Sequence, residues 1–235
     1  MTHVVDCRLY QHLRCLTQPS ASQIRRLEQA VLWYDADMIL HSIDAVADEI
    51  TQRSTLTTPF IVALDGRSGV GKSTLANALA SRLNATVVTQ DDFYTGGTLT
   101  DWNKLTAKEK ADLVIDWRRV RHEVLEPLIA NQHAVWHPFN WATLDGLAPH
   151  TITACAVPIT ILEGAYAARP ELLDLINLSI LVRLPDDIRR ERLKHREGAD
   201  YVSAWHPVWD EAEDYYFTNV RPPSSFDILL ERITG

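Results

Sequence analysis

The segment from Gly66 to Thr74, which reads GRSGVGKST, has the residue types and spacing of a phosphate-binding loop. It fits the pattern G-x-x-x-x-G-K-[ST], known as the P-loop or Walker A motif. Its glycines let the backbone curl so that successive N–H groups can point at phosphate oxygens. Lys72 can reach the β- and γ-phosphates, and the Ser73 hydroxyl can ligate Mg²⁺. The pattern therefore predicts binding of ATP with Mg²⁺. The predicted nucleotide-binding residues are Gly66, Ser68, Gly69, Val70, Gly71, Lys72, Ser73 and Thr74.

Carboxylates follow two apolar runs that read as strands. Thr86–Thr89 leads into the sequence QDDFY, which includes Asp91 and Asp92, and a later apolar run ends at Glu163. Because ligands bind outside the carboxyl ends of the strands in an open α/β sheet, we expect these side chains beside the phosphate loop. A carboxylate there can accept a proton from a hydroxyl or bind Mg²⁺. Ser73, Asp91 and Glu163 are the predicted metal ligands, although the two aspartates could also serve only as helix caps.

In a basic stretch near residue 190, the arginines are spaced so that they would lie on one face of a helix. Arg189, Arg192 and Arg196 recur at i, i+3 and i+7. Such a face can close over the phosphates and stabilise the charge of a group in transfer. The alternative is a solvated basic face whose arginines pair with acidic neighbours on the same helix.

The elements that must position these residues alternate between strand and helix from Pro59 onward. This alternation predicts an α/β chain with a P-loop NTPase fold, in which helices cover both faces of a parallel sheet. Pro170 and Pro185 stand where helices begin. The predicted strands are Phe60–Asp65, Thr86–Thr89, Pro158–Leu162, Leu178–Leu184 and Phe226–Leu230, and the predicted helices include Lys72–Leu83 and Asp116–Ala130.

Residues 1–58 are predicted to form a separate helical extension, and residues 59–235 the P-loop domain. Apolar residues have helical spacing over Ala21–Trp33 and Ala36–Thr51, and the polar stretch from Thr51 to Thr58 reads as a linker. The extension carries no catalytic signal. We expect it to act as a helical cap or as a contact within a homo-oligomer.

The amino-acid composition indicates which classes of binding partner the chain is suited to. The formal net charge is −8, which disfavours nucleic acid and anionic membranes because their binders usually carry a basic surplus. The three cysteines form no C-x-x-C pair, and no apolar run reaches membrane-spanning length. We expect a cytoplasmic protein whose partner is a small molecule.

Taken together, these motifs resemble the uridine kinase and phosphoribulokinase group of P-loop kinases. The resemblance spans about residues 59–231 and rests on the order of the P-loop, Q-D-x-F-Y, an aromatic-rich hairpin, E-G after a strand, and an arginine-rich helix. It implies that Asp91 is the catalytic base and that Glu163 is a carboxylate on the magnesium side. It also implies that Arg189, Arg192 and Arg196 belong to a lid, and Lys72 completes the predicted catalytic set.

The segment that would read the acceptor departs from the pattern of uridine kinases. Those enzymes carry a P-x-Y-D-F-x-x-H-like stretch, whereas residues 137–144 here read HPFNWATL. Phe139, Asn140 and Leu144 stand where the pattern has tyrosine, aspartate and histidine, so the hydrogen-bonding groups for a nucleobase are missing. Uridine is therefore not the expected substrate. The predicted acceptor residues are Asp92, Tyr94, Asp116, His137, Phe139 and Trp141.

The favoured prediction is an ATP- and Mg²⁺-dependent kinase acting on a hydroxyl of a small metabolite. A GTPase would need N-K-x-D, and Asn103–Thr106 lacks the aspartate. Two alternatives stay open from the sequence. One is a nucleotide monophosphate kinase, which would need positive charge around the acceptor. The other is an ATP-binding regulator without efficient transfer, which would use residues 1–58 to bind a partner.

Overall fold

A computed structural model describes residues 38–57 and 59–231, without the side chains at positions 38 and 199–203. Its centre is a parallel sheet of six strands in the order β1-β8-β7-β2-β6-β3. The strands of this sheet are β1 (Met38–Leu40), β2 (Phe60–Asp65), β3 (Thr86–Thr89), β6 (Ile159–Glu163), β7 (Leu178–Arg183) and β8 (Ile228–Glu231). The prediction of an α/β fold with a parallel sheet is confirmed.

The central strand β2 shows why both faces of the sheet are covered. All six residues of its sequence FIVALD are buried. Ile61 and Ala63 belong to one apolar core, while Phe60, Val62 and Leu64 belong to another on the opposite face. Because successive side chains of a strand point to opposite faces, a continuous apolar strand requires a layer on each side.

Helices form the two covering layers. None of the helices in the described part of the chain is long and apolar enough to cross a membrane. Their bounds are α1 (Ile43–Ser54), α2 (Lys72–Leu83), α3 (Leu99–Trp102), α4 (Ala107–Leu113), α5 (Trp117–Arg119), α6 (Glu126–Ile129), α7 (Asp186–Glu197) and α8 (Ala199–Tyr215). Two π-helical stretches extend this set. Val120–Leu125 joins α5 to α6, which fits the single helix predicted over 116–130, and Tyr216–Val220 continues α8.

The N-terminal part differs from the prediction of one helix over Ala36–Thr51. Met38–Leu40 forms strand β1 beside β8, and α1 begins only at Ile43. The physical reason is the cap at Ser42, whose side chain accepts a hydrogen bond from the Ala45 N–H. Helix α1 then runs to Ser54, through part of the predicted linker.

Helix α1 packs into the same apolar core as α2. Val46 and Ile50 of α1 lie with Leu75 and Leu79 of α2. Strand β1 and helix α1 belong to the compact unit that contains the sheet, so the predicted boundary between residues 58 and 59 falls inside that unit. The predicted helix Ala21–Trp33 lies outside the described residues, and an oligomer contact through this region stays a prediction.

A short antiparallel hairpin projects outside the main sheet. It pairs β4 (Ala134–Trp136) with β5 (Ile152–Ala154), and residues 137–151 form its loop. Trp136 and Ala134 are buried in the core beside Phe93, while Val135 on the other face is half exposed. The hairpin is the aromatic-rich segment anticipated from the sequence.

A buried polar clamp joins the start of β8 to the neighbouring strand β7. Asp227 accepts hydrogen bonds from the backbone N–H and the hydroxyl of Ser179, both at 2.7 Å. Ser179 is 3 % exposed and lies in β7. The clamp therefore satisfies a buried donor that water cannot reach.

We predict that Asp227→Ala lowers the free energy of unfolding by about 1–3 kcal/mol, because it leaves the buried Ser179 donors without their acceptor. Urea denaturation of the two proteins measures the change. The control is Asp48→Ala on the exposed face of α1, which we expect to change stability by about 0.5 kcal/mol or less. Equal effects of the two substitutions would contradict the role of the clamp.

Candidate active site

The P-loop joins β2 to α2, as its sequence predicts. Gly71 caps α2 in the left-handed conformation with φ 91°, and this places the helix N-terminus at the loop. Lys72 is 8 % exposed, and its Nζ donates to the carbonyl oxygens of Gly66 at 2.8 Å and Arg67 at 3.0 Å. The ammonium group is thus held over the loop, where an incoming polyphosphate can replace the carbonyls as its partner.

Gly69 is the point of closest approach between the loop and helix α7. It has φ +85°, and a Cβ there would lie 2.7 Å from Cγ of Leu193 and 3.1 Å from Cγ of Arg189. The absence of a side chain therefore lets α7 lie directly against the loop.

Asp65, at the end of β2, is a structural anchor that sequence reasoning missed. It is fully buried, and its Oδ1 accepts from the N–H groups of Gly66 at 2.7 Å and Tyr166 at 2.9 Å. Its Oδ2 accepts from the Ala168 N–H and the Tyr216 hydroxyl, both at 2.9 Å. The available signal was a lone aspartate ending an apolar strand immediately before the first loop glycine.

The predicted metal ligands come together at the carboxyl end of the sheet. Glu163 ends β6, is 3 % exposed, and accepts a hydrogen bond from the Thr89 hydroxyl at 3.1 Å. Burial raises the pKa of the Glu163 carboxyl, an effect that the nearby Lys72 ammonium opposes and the neighbouring Asp91 carboxylate reinforces. The nearby Ser73 hydroxyl also acts to lower the pKa of the Glu163 carboxyl. One hydroxyl and two carboxylates thus lie near one another beside the loop.

The donor set at this point fits a magnesium ion. Mg²⁺ prefers hard oxygen ligands and is usually held by one or two carboxylates together with substrate phosphates. Ser73, Asp91 and Glu163 offer such oxygens next to the loop that would hold the phosphates. Within residues 38–57 and 59–231, no cluster of three or more His, Cys, Asp or Glu side chains could hold a metal ion by itself.

The E-G motif at Glu163 and Gly164 packs tightly against the Q-D motif at Gln90 and Asp91. Gly164 has φ +148°, and a Cβ there would lie 2.6 Å from Cβ of Gln90. Gln90 is fully buried at the start of the 3₁₀ turn that carries Asp91. This close approach sets the separation between the Asp91 and Glu163 carboxylates, which the sequence motifs alone do not give.

The three arginines of α7 do not share one environment. Arg189 is fully buried and donates to the Ser68 carbonyl oxygen at 3.1 Å, to Asp186 at 2.8 Å and to Asp210 at 2.9 Å. These hydrogen bonds hold the Arg189 side chain against the loop, where it supports the backbone at Ser68. The predicted role of Arg189 in a lid over the phosphates does not agree with this burial, which arises because Gly69 lets α7 pack against the loop.

The other two arginines are exposed. Arg192 lies on the outer surface of α7 with Lys194 and His195. Arg196 lines the cavity described below, and its Nε donates to Glu197 at 3.0 Å. Of the three predicted lid residues, only Arg196 therefore faces the place where a substrate could lie.

Helix α8 contributes an acidic side chain that the sequence analysis did not single out. Glu213 is 1 % exposed, and its Oε1 accepts from the Ser68 N–H at 2.9 Å and the Ser68 hydroxyl at 2.7 Å. Burial raises the pKa of the Glu213 carboxyl, while the Ser68 hydrogen bond and the Lys72 charge act against that shift. Asp214, the next residue, pairs with Arg67 of the loop. The signal that could have found Glu213 is weak, because its partner lies 145 residues away in sequence.

An aromatic cavity of about 460 Å³ opens beside Asp91 and the Ser68 side of the loop. Tyr94 stacks on Trp141 with ring centroids 5.4 Å apart and planes at 10°, and Trp209 meets Tyr94 edge-on at 6.1 Å. Phe139 packs edge-on against both Tyr94 and Trp141 at 4.9 Å. Tyr94, Phe139 and Trp141, all predicted acceptor residues, thus line one cavity.

The remaining predicted acceptor residues do not line this cavity. Asp92 accepts a hydrogen bond from Trp136 Nε1 at 3.0 Å and so anchors the hairpin. Asp116 caps α5 by accepting from the Arg119 N–H at 3.3 Å, and His137 contacts the Ala148 carbonyl oxygen at 2.9 Å. Each of these polar groups is engaged in holding the chain rather than in facing the cavity.

A second cavity, of about 890 Å³, lies on the other side of the loop. Arg67 and Val70 of the loop line it together with Arg183, Arg190 and Phe217. The loop therefore separates two spaces, one beside the carboxylates and aromatic rings and one beside the start of α7.

Comparison with known proteins places this geometry in context. Residues 62–214 match the protein family described as "AAA domain". A comparison of the sequence with curated proteins found no match.

Solved structures share the fold at low sequence identity. One is a protein described as a possible uridine kinase from Bacillus stearothermophilus, with a TM-score of 0.63 and 20 % identity over 80 % of this chain and 96 % of that chain. Another is a D-glycerate 3-kinase from Cryptococcus neoformans var. grubii, with a TM-score of 0.56 and 12 % identity over 82 % of this chain and 97 % of that chain. These likenesses show that the chain has the fold of P-loop kinases.

We predict that Gly69→Ala destabilises the protein by about 1–3 kcal/mol more than Gly146→Ala, because only the first substitution drives a methyl group into α7. Gly146 is a matched control, since it has φ +62° and nothing lies within 4 Å of a Cβ built on it. Thermal or urea unfolding of both variants measures the difference. Similar losses would mean that backbone conformation alone, and not contact with α7, restricts position 69.

Proposed function

The chain belongs to the AAA-domain family, and we propose that it is an ATP- and Mg²⁺-dependent kinase that transfers the γ-phosphoryl group to a hydroxyl of a small metabolite. The observation that carries the proposal is that Lys72, Ser73 and Asp91 all lie close to the Glu163 carboxyl, and that Asp91 also lines the aromatic cavity. A loop that only bound nucleotide would need neither a second carboxylate nor an adjoining cavity.

The two cavities suit two substrates. The larger second cavity, with Arg190 and Phe217 in its wall, suits the nucleoside part of the donor, while the loop amides hold its phosphates. The aromatic cavity suits the acceptor, because Asp91 lines it and can meet a hydroxyl there. In this arrangement the terminal phosphate lies between the two cavities, next to Lys72.

The reaction balances with these groups. The acceptor oxygen forms a bond to the γ-phosphorus as the bond to the β–γ bridging oxygen breaks, and ADP leaves with that oxygen. Asp91 takes the proton of the acceptor hydroxyl. Lys72 and the loop N–H groups stabilise the phosphoryl charge. When bound, magnesium would neutralise charge on the polyphosphate, and Ser73 and Glu163 would hold it beside Asp91.

The arginines of α7 have separate roles in this proposal. Arg196 lies where it can approach the transferred group from the cavity side. Arg189 acts at a distance, because its hydrogen bond to the Ser68 carbonyl oxygen supports the loop. Arg192, on the outer surface, has no part in transfer that its position supports.

The two alternative functions that the sequence left open have less support than the kinase function. A nucleotide monophosphate kinase needs cations to hold the acceptor phosphate, yet the cavity is lined by Asp91, Glu197 and Glu213, and Arg196 is already paired with Glu197. A regulator without transfer does not require the cavity beside Asp91. The proposed acceptor is therefore a small molecule without a phosphate group.

We predict that Asp91→Asn lowers kcat by about 10²–10⁴-fold, the usual contribution of a positioned general base, while binding of an ATP analogue stays within about threefold. A coupled assay for ADP, with the stimulating acceptor present, measures kcat, and calorimetry measures binding. Asp145→Asn, an exposed carboxamide substitution on the hairpin loop, is the control and should keep full activity. Undiminished transfer by the Asp91 variant would remove this residue from the chemistry.

A further inference from the structure

The aromatic cavity combines ring faces with buried acidic character, and this combination bears on the chemical class of the acceptor. Trp141 is 51 % exposed and stacks on Tyr94, and Trp205 stacks on Trp209 at 5.8 Å with planes at 15°. Aromatic faces carry negative electrostatic potential, so they attract cations as well as apolar groups. Rings alone do not distinguish a cation from a neutral apolar molecule.

Two residues of the same cavity wall carry buried polar atoms that help to make the distinction. Oε2 of Glu213 and the hydroxyl of Tyr166 have no hydrogen-bond partner among the described residues. Both side chains are almost fully buried, at 1 % and 3 % exposure. Unpaired buried polar atoms are costly, so their presence in residues that line a cavity points to a ligand that can pair with these side chains.

The balance of charge at the cavity wall favours a positive ligand. Arg196 and His206 both contact Glu197, with His206 Nε2 at 2.7 Å from its carboxylate. Asp91 and Glu213 are further carboxylates of the wall. The described lining residues therefore carry more acidic than basic groups, and their basic members are already engaged.

Two residues of the same cavity wall have strained backbone conformations. Tyr166 has φ +70°, an uncommon conformation for a residue with a side chain, and Leu144, which also lines the cavity, has φ +56°. The Tyr166 conformation is held by its N–H bond to Asp65. Strain of this kind persists where the surrounding structure enforces a particular side-chain position.

From these observations, and resting on the proposed kinase function, we propose that the acceptor is a hydroxyl-bearing organic cation, such as an amino alcohol. Its positive group lies against the rings of Trp141 and Tyr94 and pairs with Glu213, and its hydroxyl faces Asp91. The Tyr166 hydroxyl adds a neutral hydrogen bond. The phosphoryl transfer itself is unchanged, with the proton passing from the acceptor hydroxyl to Asp91.

The test uses pairs of alcohols that differ only in charge. Choline is paired with 3,3-dimethylbutan-1-ol, and ethanolamine with propan-1-ol, and each is titrated into the full-length chain loaded with Mg²⁺ and a non-hydrolysable ATP analogue. We expect the cation of at least one pair to bind about tenfold or more tightly than its uncharged isostere, the size of a desolvated cation–π contact together with a carboxylate. Equal binding within both pairs, or no binding by either cation, would overturn the proposal.

Substitutions at two positions locate the effect. Glu213→Gln keeps an acceptor for Ser68 but removes the charge, so the ratio of cation to isostere affinity should fall about threefold or more. Trp141→Leu should weaken cation binding about tenfold, whereas Trp141→Phe, which keeps a ring, should weaken it about threefold or less. Leu147→Ala is the control, because Leu147 is exposed on the same loop but does not line the cavity. An unchanged affinity ratio in Glu213→Gln would contradict the assignment.

Failure of this proposal is distinguishable from failure of the kinase function. ATP turnover stimulated by a nucleoside or a sugar, with neither cation bound, would overturn the cationic acceptor and leave the kinase in place. Failure of the ATP analogue to bind would overturn the kinase function before any acceptor is added.

Discussion

The buried carboxylate of Asp65 joins three parts of the chain that are far apart in sequence. It receives the first N–H of the P-loop, two N–H groups of the turn after β6, and the hydroxyl of Tyr216 beyond α8. A buried carboxylate needs several donors to offset its desolvation, so none of these segments can move independently. The position of the phosphate loop relative to the cavity wall follows from this single group.

Much of the site follows from that constraint. The turn after β6 carries Tyr166 into the cavity wall, and α8 brings Glu213 against Ser68 of the loop. On the other side, the lack of a side chain at Gly69 brings α7 and its buried Arg189 beneath the loop. The phosphate loop therefore packs against two helices, α7 and α8. The aromatic cavity forms in the space between α8 and the hairpin.

Local signals predicted the centre of the molecule well. The bounds of β2, α2 and β3 agree with the prediction, because apolar runs, glycines and helix formers act over short distances. The convergence of Asp91 and Glu163 followed from the rule that strand ends meet at one edge of a sheet.

Residue roles that depend on long-range contacts could not be predicted from the sequence. Asp65, Tyr166 and Glu213 have their roles through partners more than 100 residues away. Arg189 was expected over the phosphates, but its burial depends on packing against Gly69. Asp92, Asp116 and His137 share the polar character of ligand-binding residues, and only their hydrogen bonds show that they hold the hairpin and α5 instead.

The most direct test of the account is a calorimetric titration of the full-length chain with a non-hydrolysable ATP analogue and Mg²⁺, run in parallel on Lys72→Ala. Saturable binding of one analogue per chain, weakened about tenfold or more by loss of the ammonium group, is the predicted result. No binding to the unaltered chain, or equal affinity of the two proteins, would contradict the claim that this loop holds the donor phosphates.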